Sequence, residues 1–543
     1  MDKPDSVTAT DRKKTLEVVK AIHDDSSAES GLSSNDSKSD DFIEPDAKEL
    51  RRLIWKLDLR IIPYVCILYL CSYLDRVNIG HAKIAGIMDE IDIDDSQYNW
   101  SLSIFFIGYV IFEIPANLML KWIGPRKWIT IIMVVWGVIL AAMSECKNGE
   151  TLMAARFFLG VAEAGLYPGI LYYLSIWYTR KQTAIRVAFF YASNTLAGAF
   201  GGLLAYGIMH MDGLRYVFVV RWAVVEEREG WRRVQYVLQN NLLNERHCIS
   251  MINRGISGWQ WIFIIEAIPT LFFAFFTYYW LPDYPETAKF LNEREREIII
   301  RQNRRDAGPA TETHFSWSQV YSTFLDWKTF AYSFMYIIAA IPVYTLSLFM
   351  PSIVNGMGYQ ALTAQAMTCP PYIIAFFMCI INSYSAGRHN ERGAHMALQA
   401  TIALVGYILL IVLRDHPSEH LYAGAVIATA GTFGMMPAFV SWFGNNFGGH
   451  TRRNVAIAAI ASVGNCGGII SGHVYRADDA PHYVRGHTIN LACIAFCIVS
   501  PLVMKYALHY INKKRDNMSP EEYQAASRGK ELGEKHPDFR YIT

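Results

Sequence analysis

The sequence predicts an all-α membrane protein with twelve transmembrane helices in two pseudo-symmetric six-helix bundles. Three observations lead to this fold class: long apolar runs, few charged residues, and a motif that occurs once in each half. Hydrophobic residues make up 52% of the 543 residues and Asp, Glu, Lys and Arg only 18%, compared with roughly 25% charged residues in soluble domains. Since open sheet edges cannot lie in lipid, the backbone of each run is expected to be helical.

The apolar runs set the number of spans, because a hydrocarbon core about 30 Å thick needs roughly 20 mostly apolar residues to be crossed by a helix. About twelve runs of this length occur, and we number them span one to span twelve. They cover residues 58–78, 97–120, 126–145, 152–178, 184–210, 259–281, 328–354, 361–386, 393–413, 420–444, 453–474 and 486–511. A soluble enzyme of this length would not carry so many uncharged runs.

Basic residues predict how the spans are oriented. They gather at alternate connections, from Arg51 and Arg52 before span one to Lys513 and Lys514 after span twelve. Because cytoplasmic loops carry an excess of Lys and Arg, both termini are expected to be cytoplasmic. The net charge of +1 indicates no partner by itself, and no nucleic acid is expected as a partner.

The same features divide the chain into segments. The predicted order is a disordered cytoplasmic tail (1–50), helices one to five of the N-terminal bundle (51–213), an atypical charged insert (214–254), helix six (255–282), a central cytoplasmic loop (283–327), the C-terminal bundle of helices seven to twelve (328–512) and a cytoplasmic tail (513–543). The first segment is too polar to bury a core, and it lacks the apolar region of a cleaved signal peptide.

The insert at 214–254 departs from the pattern, because it places seven arginines in what should be an external connection. Its run at 228–233, Arg-Glu-Gly-Trp-Arg-Arg, lies on the side where the orientation bias predicts few basic residues. Two interpretations stay open: translation of an unspliced intron, and a genuine external loop. The sequence of the mature transcript would distinguish them.

A repeated pattern indicates that six helices were duplicated. Pro168 and Gly198 are separated by about thirty residues, and so are Pro437 and Gly467, with Trp and Arg between them in both cases. The glycines fall in spans five and eleven, where small residues let membrane helices pack closely. Many transporters are duplicated bundles with a site between the halves, so the repeat favours a transporter over a receptor or a membrane enzyme.

The ionisable residues on which the functional prediction depends lie in spans one and four: Asp75 and Arg76 in span one, and Arg156 and Glu163 in span four. A charge near the bilayer centre costs roughly 2.5 to 3.5 kcal/mol, so such residues usually face a cavity and mark a substrate or proton path. Arg76 is the first candidate for binding a carboxylate, because a guanidinium offers two parallel hydrogen bonds. Glu163 and Asp75 are the candidate proton carriers, and Arg156 is a second candidate for binding substrate.

Glu163 follows Arg156 by two helical turns and should share its face of span four. Burial favours the neutral acid, whereas a neighbouring arginine favours the carboxylate, so the protonation of Glu163 can respond to its surroundings. An alternative is a permanent ion pair between spans one and four that clamps one conformation and binds nothing.

Uncharged polar residues should complete the site from the remaining spans. Asn465 in span eleven is the first candidate of the second half, and Asn445 after span ten is another. Tyr167 lies one turn beyond Glu163 and could line the same cavity. An Asn in a membrane helix more often serves as a hydrogen bond between helices.

Several segments resemble a known family. Residues 74–80 (LDRVNIG), 156–165 (RFFLGVAEAG) and 281–286 (LPDYPE) resemble the major facilitator superfamily, and more narrowly its anion:cation symporter branch, in the fungal group of allantoate and nicotinate permeases. The ending at 534–541 (EKHPDFRY) is also similar to that group. The resemblance implies a monomeric plasma-membrane symporter that carries protons and a small organic carboxylate anion by alternating access, with no cofactor.

Two loops differ from the family pattern. The loop after span two keeps only part of the expected Gly-x-x-x-Asp-Arg motif, with Lys121 at the place of the acid. After span eight, Gly387 and Arg388 stand where Asp-Arg is expected. A gating ion pair that uses those acids is therefore in doubt.

Other functions remain open at this point. A proton-coupled exporter would be expected to join Gly-Pro to a later Gly-Gly in span five, and residues 198–202 contain no proline. A nutrient sensor on a transporter fold is a further alternative. A membrane enzyme is not expected, because no HExxH, GxSxG or Walker loop occurs.

Overall fold

The structure is a computed structural model that describes residues 45–210, 256–307, 317–448, 450–527, 534 and 536–543. The insert predicted at 214–254 and residues 1–44 of the predicted tail lie outside the described residues. Span one begins earlier than predicted, at Ala47. The bundle considered below is formed by residues from Arg52 onward.

The described residues form helices and no strand, as predicted. Eleven helical segments are long and apolar enough to cross a membrane, and span eleven contains a shorter apolar helix, Val455–Ser471. The spans are Ala47–Ile84, Asp95–Ile123, Pro125–Met143, Gly149–Glu163 with Leu166–Trp177, Arg180–Met209, Gly258–Trp280, Trp327–Gly356, Ala361–Met367 with Cys369–His389, Gly393–Val412, Ser418–Asn445, His450–Ser471 and Val484–Asp516. Shorter helices are Ile87–Glu90, Glu293–Ala307, Trp317–Phe324 and Pro520–Ser527.

Local sequence fixes where several spans begin. Span two starts at Asp94, whose side chain accepts a hydrogen bond from the Gln97 backbone N–H at 2.6 Å. Span three starts at Pro125, which needs no N–H partner in the first turn and follows Gly124 at a positive φ of 94°. Each start signal lies at the edge of an apolar run, so the run and its cap together set the register of the helix.

The helix of span four has a short break in the middle of the bundle. Its first part ends at Glu163, and the second begins at Leu166. Ala164 and Gly165 between them keep right-handed helical backbone angles, so the break is a local irregularity in one continuous span.

The halves meet through spans five and eight and through spans two and eleven. A Cβ atom at Gly202 would lie 1.9 Å from Thr368 Oγ1, and one at Gly468 would lie 2.3 Å from the Phe106 ring. Only glycine fits at either position. The close packing predicted for the glycines of spans five and eleven is therefore confirmed.

The C-terminal residues 534 and 536–543, which we call the strap, pack against one end of the second half. Asn446 and Ile542 exchange two hydrogen bonds, of 2.8 and 2.9 Å, and Trp442 Nε1 donates to the Ile542 carbonyl at 2.7 Å. We call this end of the bundle the strap side. The segment predicted as a cytoplasmic tail from residue 513 begins inside span twelve, which continues to Asp516.

Hydrogen bonds between the halves lie away from the strap side. Ser103 Oγ donates to the Ile469 carbonyl at 2.8 Å, and Gln365 Nε2 donates to the His81 carbonyl at 3.1 Å. The Tyr73 hydroxyl is hydrogen-bonded to Ser347. These contacts close the bundle on the side remote from the strap.

Candidate transport site

A cavity lies between the two halves at the level of the break in span four. It is lined by Tyr69, Tyr73, Arg76, Tyr109, Tyr167, Tyr191, Asn194, Tyr336, Ala340, Val343, Tyr344, Met436 and Asn465. Seven of these thirteen residues are tyrosines, so the wall combines aromatic faces with hydroxyl groups. The cavity has a volume of about 20 Å³, which is room for roughly one water. The halves must separate to admit an organic molecule.

An acid and a base from different spans meet at this cavity. Arg76 Nη2 lies 3.1 Å from Glu163 Oε2, which also accepts a hydrogen bond of 3.1 Å from Ser72 Oγ. The side chain of Arg76 is 6% exposed and that of Glu163 is fully buried. Because the pair is shielded from water, neutralising Glu163 would remove the main partner of the guanidinium and leave it free for another anion.

Arg156 lies behind Arg76 rather than on the cavity wall. Its Nη2 donates to the Arg76 backbone carbonyl at 3.3 Å, while its Nε and Nη1 have no hydrogen-bond partner among the described residues. Both guanidiniums lie over the Phe105 ring, at 4.9 Å for Arg156 and 5.1 Å for Arg76. The two like charges therefore share one apolar region. The Nε and Nη1 groups of Arg156 remain as hydrogen-bond donors that an anion could bind.

Asp75 points away from the cavity. Its Oδ2 accepts hydrogen bonds from Trp136 Nε1 at 3.0 Å and from Thr270 Oγ1 at 2.8 Å, in spans three and six. Neighbouring residues on an α-helix point about 100° apart, and here Arg76 lines the cavity whereas Asp75 does not. The structure does not bring Asp75 to an arginine, and its part in proton coupling stays a prediction.

The uncharged candidates separate into two groups. Tyr167 and Asn465 line the cavity. Asn445 does not, because it is the last residue of span ten, about 13 Å along the helix from Met436 at 1.5 Å per residue. It lies beside Asn446, which binds the strap. The substrate contact predicted for Asn445 is therefore not supported by its position.

Two buried acids were missed in the sequence. Glu113 in span two is fully buried and accepts a hydrogen bond of 3.2 Å from Asn465 Nδ2, across the two halves. Glu266 in span six is also buried and interacts electrostatically with Asp75. Each is an isolated acid within a predicted apolar run, so the criterion that selected Asp75 and Glu163 would have found both.

The loop after span two uses an acid from a different part of the chain. Arg126 Nε lies 3.3 Å from Asp283 Oδ2, and the Arg126 backbone N–H donates to Asp283 Oδ1 at 2.9 Å. Asp283 follows span six, in the segment 281–286 that supported the family resemblance. An ion pair therefore forms at this loop, although Lys121 stands where the family pattern has an acid.

Comparison with known proteins agrees with this architecture. Residues 65–223 and 249–472 match the Major Facilitator Superfamily, and the gap between them falls within the insert at 214–254. The MFS transporter prlL of Fungal sp. (strain NRRL 50135) is 37% identical over 86% of this chain and 88% of its own length. The MFS-type transporter cnsO of Penicillium expansum is 30% identical over 100% of this chain and 99% of its own length.

Solved structures show the same fold. A bacterial homolog of the human lysosomal transporter Spinster superposes with a TM-score of 0.60 over 84% of this chain and 98% of that chain. Its sequence is 14% identical, so the likeness concerns the fold alone. The sequence match shows that the chain belongs to the major facilitator superfamily. It is therefore a multi-pass membrane transporter and not an enzyme, and the twelve-span bundle and the likeness in fold agree with this.

Proposed function

We propose that this transporter takes up a small organic carboxylate anion, such as allantoate or nicotinate, together with protons by alternating access. The proposal places it in the anion:cation symporter branch, as a monomer in the plasma membrane with both termini cytoplasmic. The observation that carries it is the buried ion pair between Arg76 and Glu163 at the cavity between the halves.

In this mechanism a proton from outside neutralises Glu163 and releases Arg76. The free guanidinium then binds the substrate carboxylate through two parallel hydrogen bonds. The loaded halves rock and open toward the cytosol, where Glu163 loses its proton and pairs with Arg76 again. The returning ion pair expels the anion, so one proton and one anion cross together.

The remaining wall suits an acid that carries planar groups. The rings of Tyr69 and Tyr167 pack with centroids 5.6 Å apart, and Tyr167 stacks on Phe190 at 5.9 Å. Aromatic faces contribute contact area to planar ligands, and the hydroxyl groups of Tyr supply polar contacts at their edges. A long-chain fatty acid would leave many of these hydroxyls without a partner.

Uptake into yeast cells that express the chain tests this function. Labelled allantoate and nicotinate should accumulate against their gradients, and a proton uncoupler should abolish the accumulation. Other organic anions then compete in the same assay and rank the substrates. Accumulation that survives the uncoupler would contradict proton coupling, and net loss of preloaded anion driven by the proton gradient would indicate an exporter.

A further inference from the structure

Three side chains form a hydrogen-bonded chain from span two to span seven by way of span eleven. Asn465 Nδ2 donates to Glu113 Oε2 at 3.2 Å, and the Tyr344 hydroxyl donates to Asn465 Oδ1 at 2.7 Å. All three residues are buried. Asn465 and Tyr344 line the cavity, whereas Glu113 lies behind them, so Glu113 acts on the cavity through its neighbours.

Packing holds the middle member of this chain in place. A Cβ atom at Gly464 would lie 1.8 Å from the Tyr336 ring, and one at Gly468 would lie 2.3 Å from the Phe106 ring. Span eleven is thus pressed against spans seven and two on both sides of Asn465. The amide cannot withdraw from its two partners without separating the spans.

The hydrogen bonds of this chain run in one direction. Asn465 turns its NH₂ group toward Glu113 Oε2 and its carbonyl oxygen toward the Tyr344 hydroxyl. The single hydroxyl hydrogen of Tyr344 is then used on Asn465. The Tyr344 oxygen therefore presents only its lone pairs to the cavity, and these accept a hydrogen bond but cannot donate one.

Arg76 lines the same cavity and interacts electrostatically with Tyr344. A substrate whose carboxylate binds Arg76 therefore lies beside the tyrosine oxygen and covers it. A buried acceptor left without a donor is costly. The substrate must then supply a donor of its own at this position.

We propose that Glu113 is a positioning residue for substrate selection: through Asn465 it holds Tyr344 as an acceptor, and the preferred substrate is a carboxylate that also carries an N–H or O–H donor. The inference rests on the proposed function and narrows it. Of the two acids named above, allantoate carries N–H donors, and the nicotinate anion carries none.

Binding to the purified full-length protein tests the proposal with three probes of similar size: 4-hydroxybenzoate, 4-fluorobenzoate and benzoate. Dissociation constants are measured from the stabilisation of the protein against heat. The unmodified protein should bind 4-hydroxybenzoate about tenfold more tightly than 4-fluorobenzoate, the effect of roughly one well-placed hydrogen bond.

Two variants distinguish a positioning role of Glu113 from a general structural role. In Glu113→Gln the amide can donate as well as accept, so the chain can reverse and Tyr344 can donate to the cavity. The preference for the hydroxyl probe should then fall to about twofold or less. Ser103→Ala is the matched control, because it removes a hydrogen bond between the same two spans and should leave the preference unchanged.

The outcomes are distinct. Equal affinity of the unmodified protein for the hydroxyl and fluoro probes, or a preference unchanged in Glu113→Gln, overturns the inference and leaves the proposed function standing. A loss of affinity in Glu113→Gln that is the same for all three probes also overturns it, because a merely structural role predicts that result. If no probe stabilises the protein, the inference is overturned, and stabilisation by allantoate in the same assay shows whether the proposed function stands.

Discussion

The two halves of the bundle place their buried charges at different depths. In the first half, Arg76 and Glu163 meet at the cavity in the middle of the membrane. In the second half, the cavity wall is uncharged, and Asp326, Arg452 and Glu534 form a cluster at the strap side. The charges of the first half lie where a proton or substrate can replace a partner, whereas those of the second half are tied to one another.

The two halves also differ in a pair of corresponding ion pairs at the strap side. Arg186 Nη2 and Asp58 Oδ2 join spans five and one at 2.6 Å, and Arg452 Nη2 and Asp326 Oδ2 join the start of span eleven to the residue before span seven at 2.7 Å. The side chain of Asp58 is 31% exposed, but that of Asp326 is only 7% exposed. We attribute the lower exposure of Asp326 to the strap, because Glu534 also binds Arg452, at 2.8 Å.

The duplicated ion pair therefore serves a different purpose in each half. A partly hydrated pair is screened by water, so it is less costly to break and can adjust when helices move. A dry pair with a third partner is costly to break, because each lost member leaves a buried charge. We therefore expect changes in the first half to affect coupling and changes in the second half to affect folding.

The largest expected effect follows from Glu163→Gln. The amide can neither carry a proton nor pair as an anion with Arg76, so uphill accumulation of labelled allantoate should be lost completely. Exchange of labelled for unlabelled allantoate should persist, because the cavity itself is kept. Accumulation and counterflow are measured in the same cells.

Ser72→Ala is the control for that change. It removes a hydrogen bond of 3.1 Å to Glu163 but keeps the acid. Accumulation should continue in this variant. If Glu163→Gln accumulates substrate normally, Glu163 is not the coupling residue, and the pair with Arg76 is a structural clamp.

Arg452→Ala should produce the largest loss of stability. It leaves the carboxylates of Asp326 and Glu534 in a dry cluster with Lys328, whose Nζ lies 3.4 and 3.5 Å from them. Breaking a buried ion pair by removing one partner costs about 3 to 5 kcal/mol. The measurement is the midpoint of thermal unfolding of the purified protein in detergent.

Arg186→Ala is the matched change in the first half. Because water reaches the side chain of Asp58, the loss should be smaller, about 1.5 to 3 kcal/mol, the range for hydrogen bonds to a charged group. Equal losses in the two variants would contradict the claim that the strap makes the second pair drier and stronger.

The sequence predicts the helical fold because length and apolarity are properties of each run taken alone. It also predicts which charges are buried, since Arg76 and Glu163 interrupt such runs. It does not predict their partners, because the rotation of each helix depends on packing with its neighbours. Asp75 shows this: it lies next to Arg76 in the chain but binds Trp136 and Thr270.

The strap shows a second limit of prediction. The sequence of residues 534–541 resembles a family ending but carries no apolar period, so it does not predict that this segment packs against the bundle. The contacts of the strap are hydrogen bonds of its backbone with the side chains of Asn446 and Asn512 and an ion pair with Arg452, which leave no repeating pattern in a sequence.

Arg76→Lys tests the carboxylate contact in the first half. Lysine keeps the charge but loses the planar pair of donors, so the KM for allantoate should rise by about ten- to a hundredfold or transport should be lost. Arg60→Lys is the control on the same span, since Arg60 lies over Trp280, 3.7 Å from the ring centroid, and outside the cavity lining. Normal kinetics in well-expressed Arg76→Lys would contradict the carboxylate clamp.

The smallest effect is expected for Glu534→Gln, which tests how much the strap adds to the second half. The amide can still accept the hydrogen bond of 3.0 Å from the Gly448 backbone N–H, and Arg452 keeps Asp326. The loss should therefore be about 1.5 kcal/mol, the lower value for a hydrogen bond to a charged group. Asp516→Asn is its control, because the pair of Arg540 with Asp516 is exposed and contributes about 0 to 1 kcal/mol. A loss in Glu534→Gln no larger than in this control would mean that the strap covers the cluster without stabilising it, and the dryness of Asp326 would then come from the spans alone.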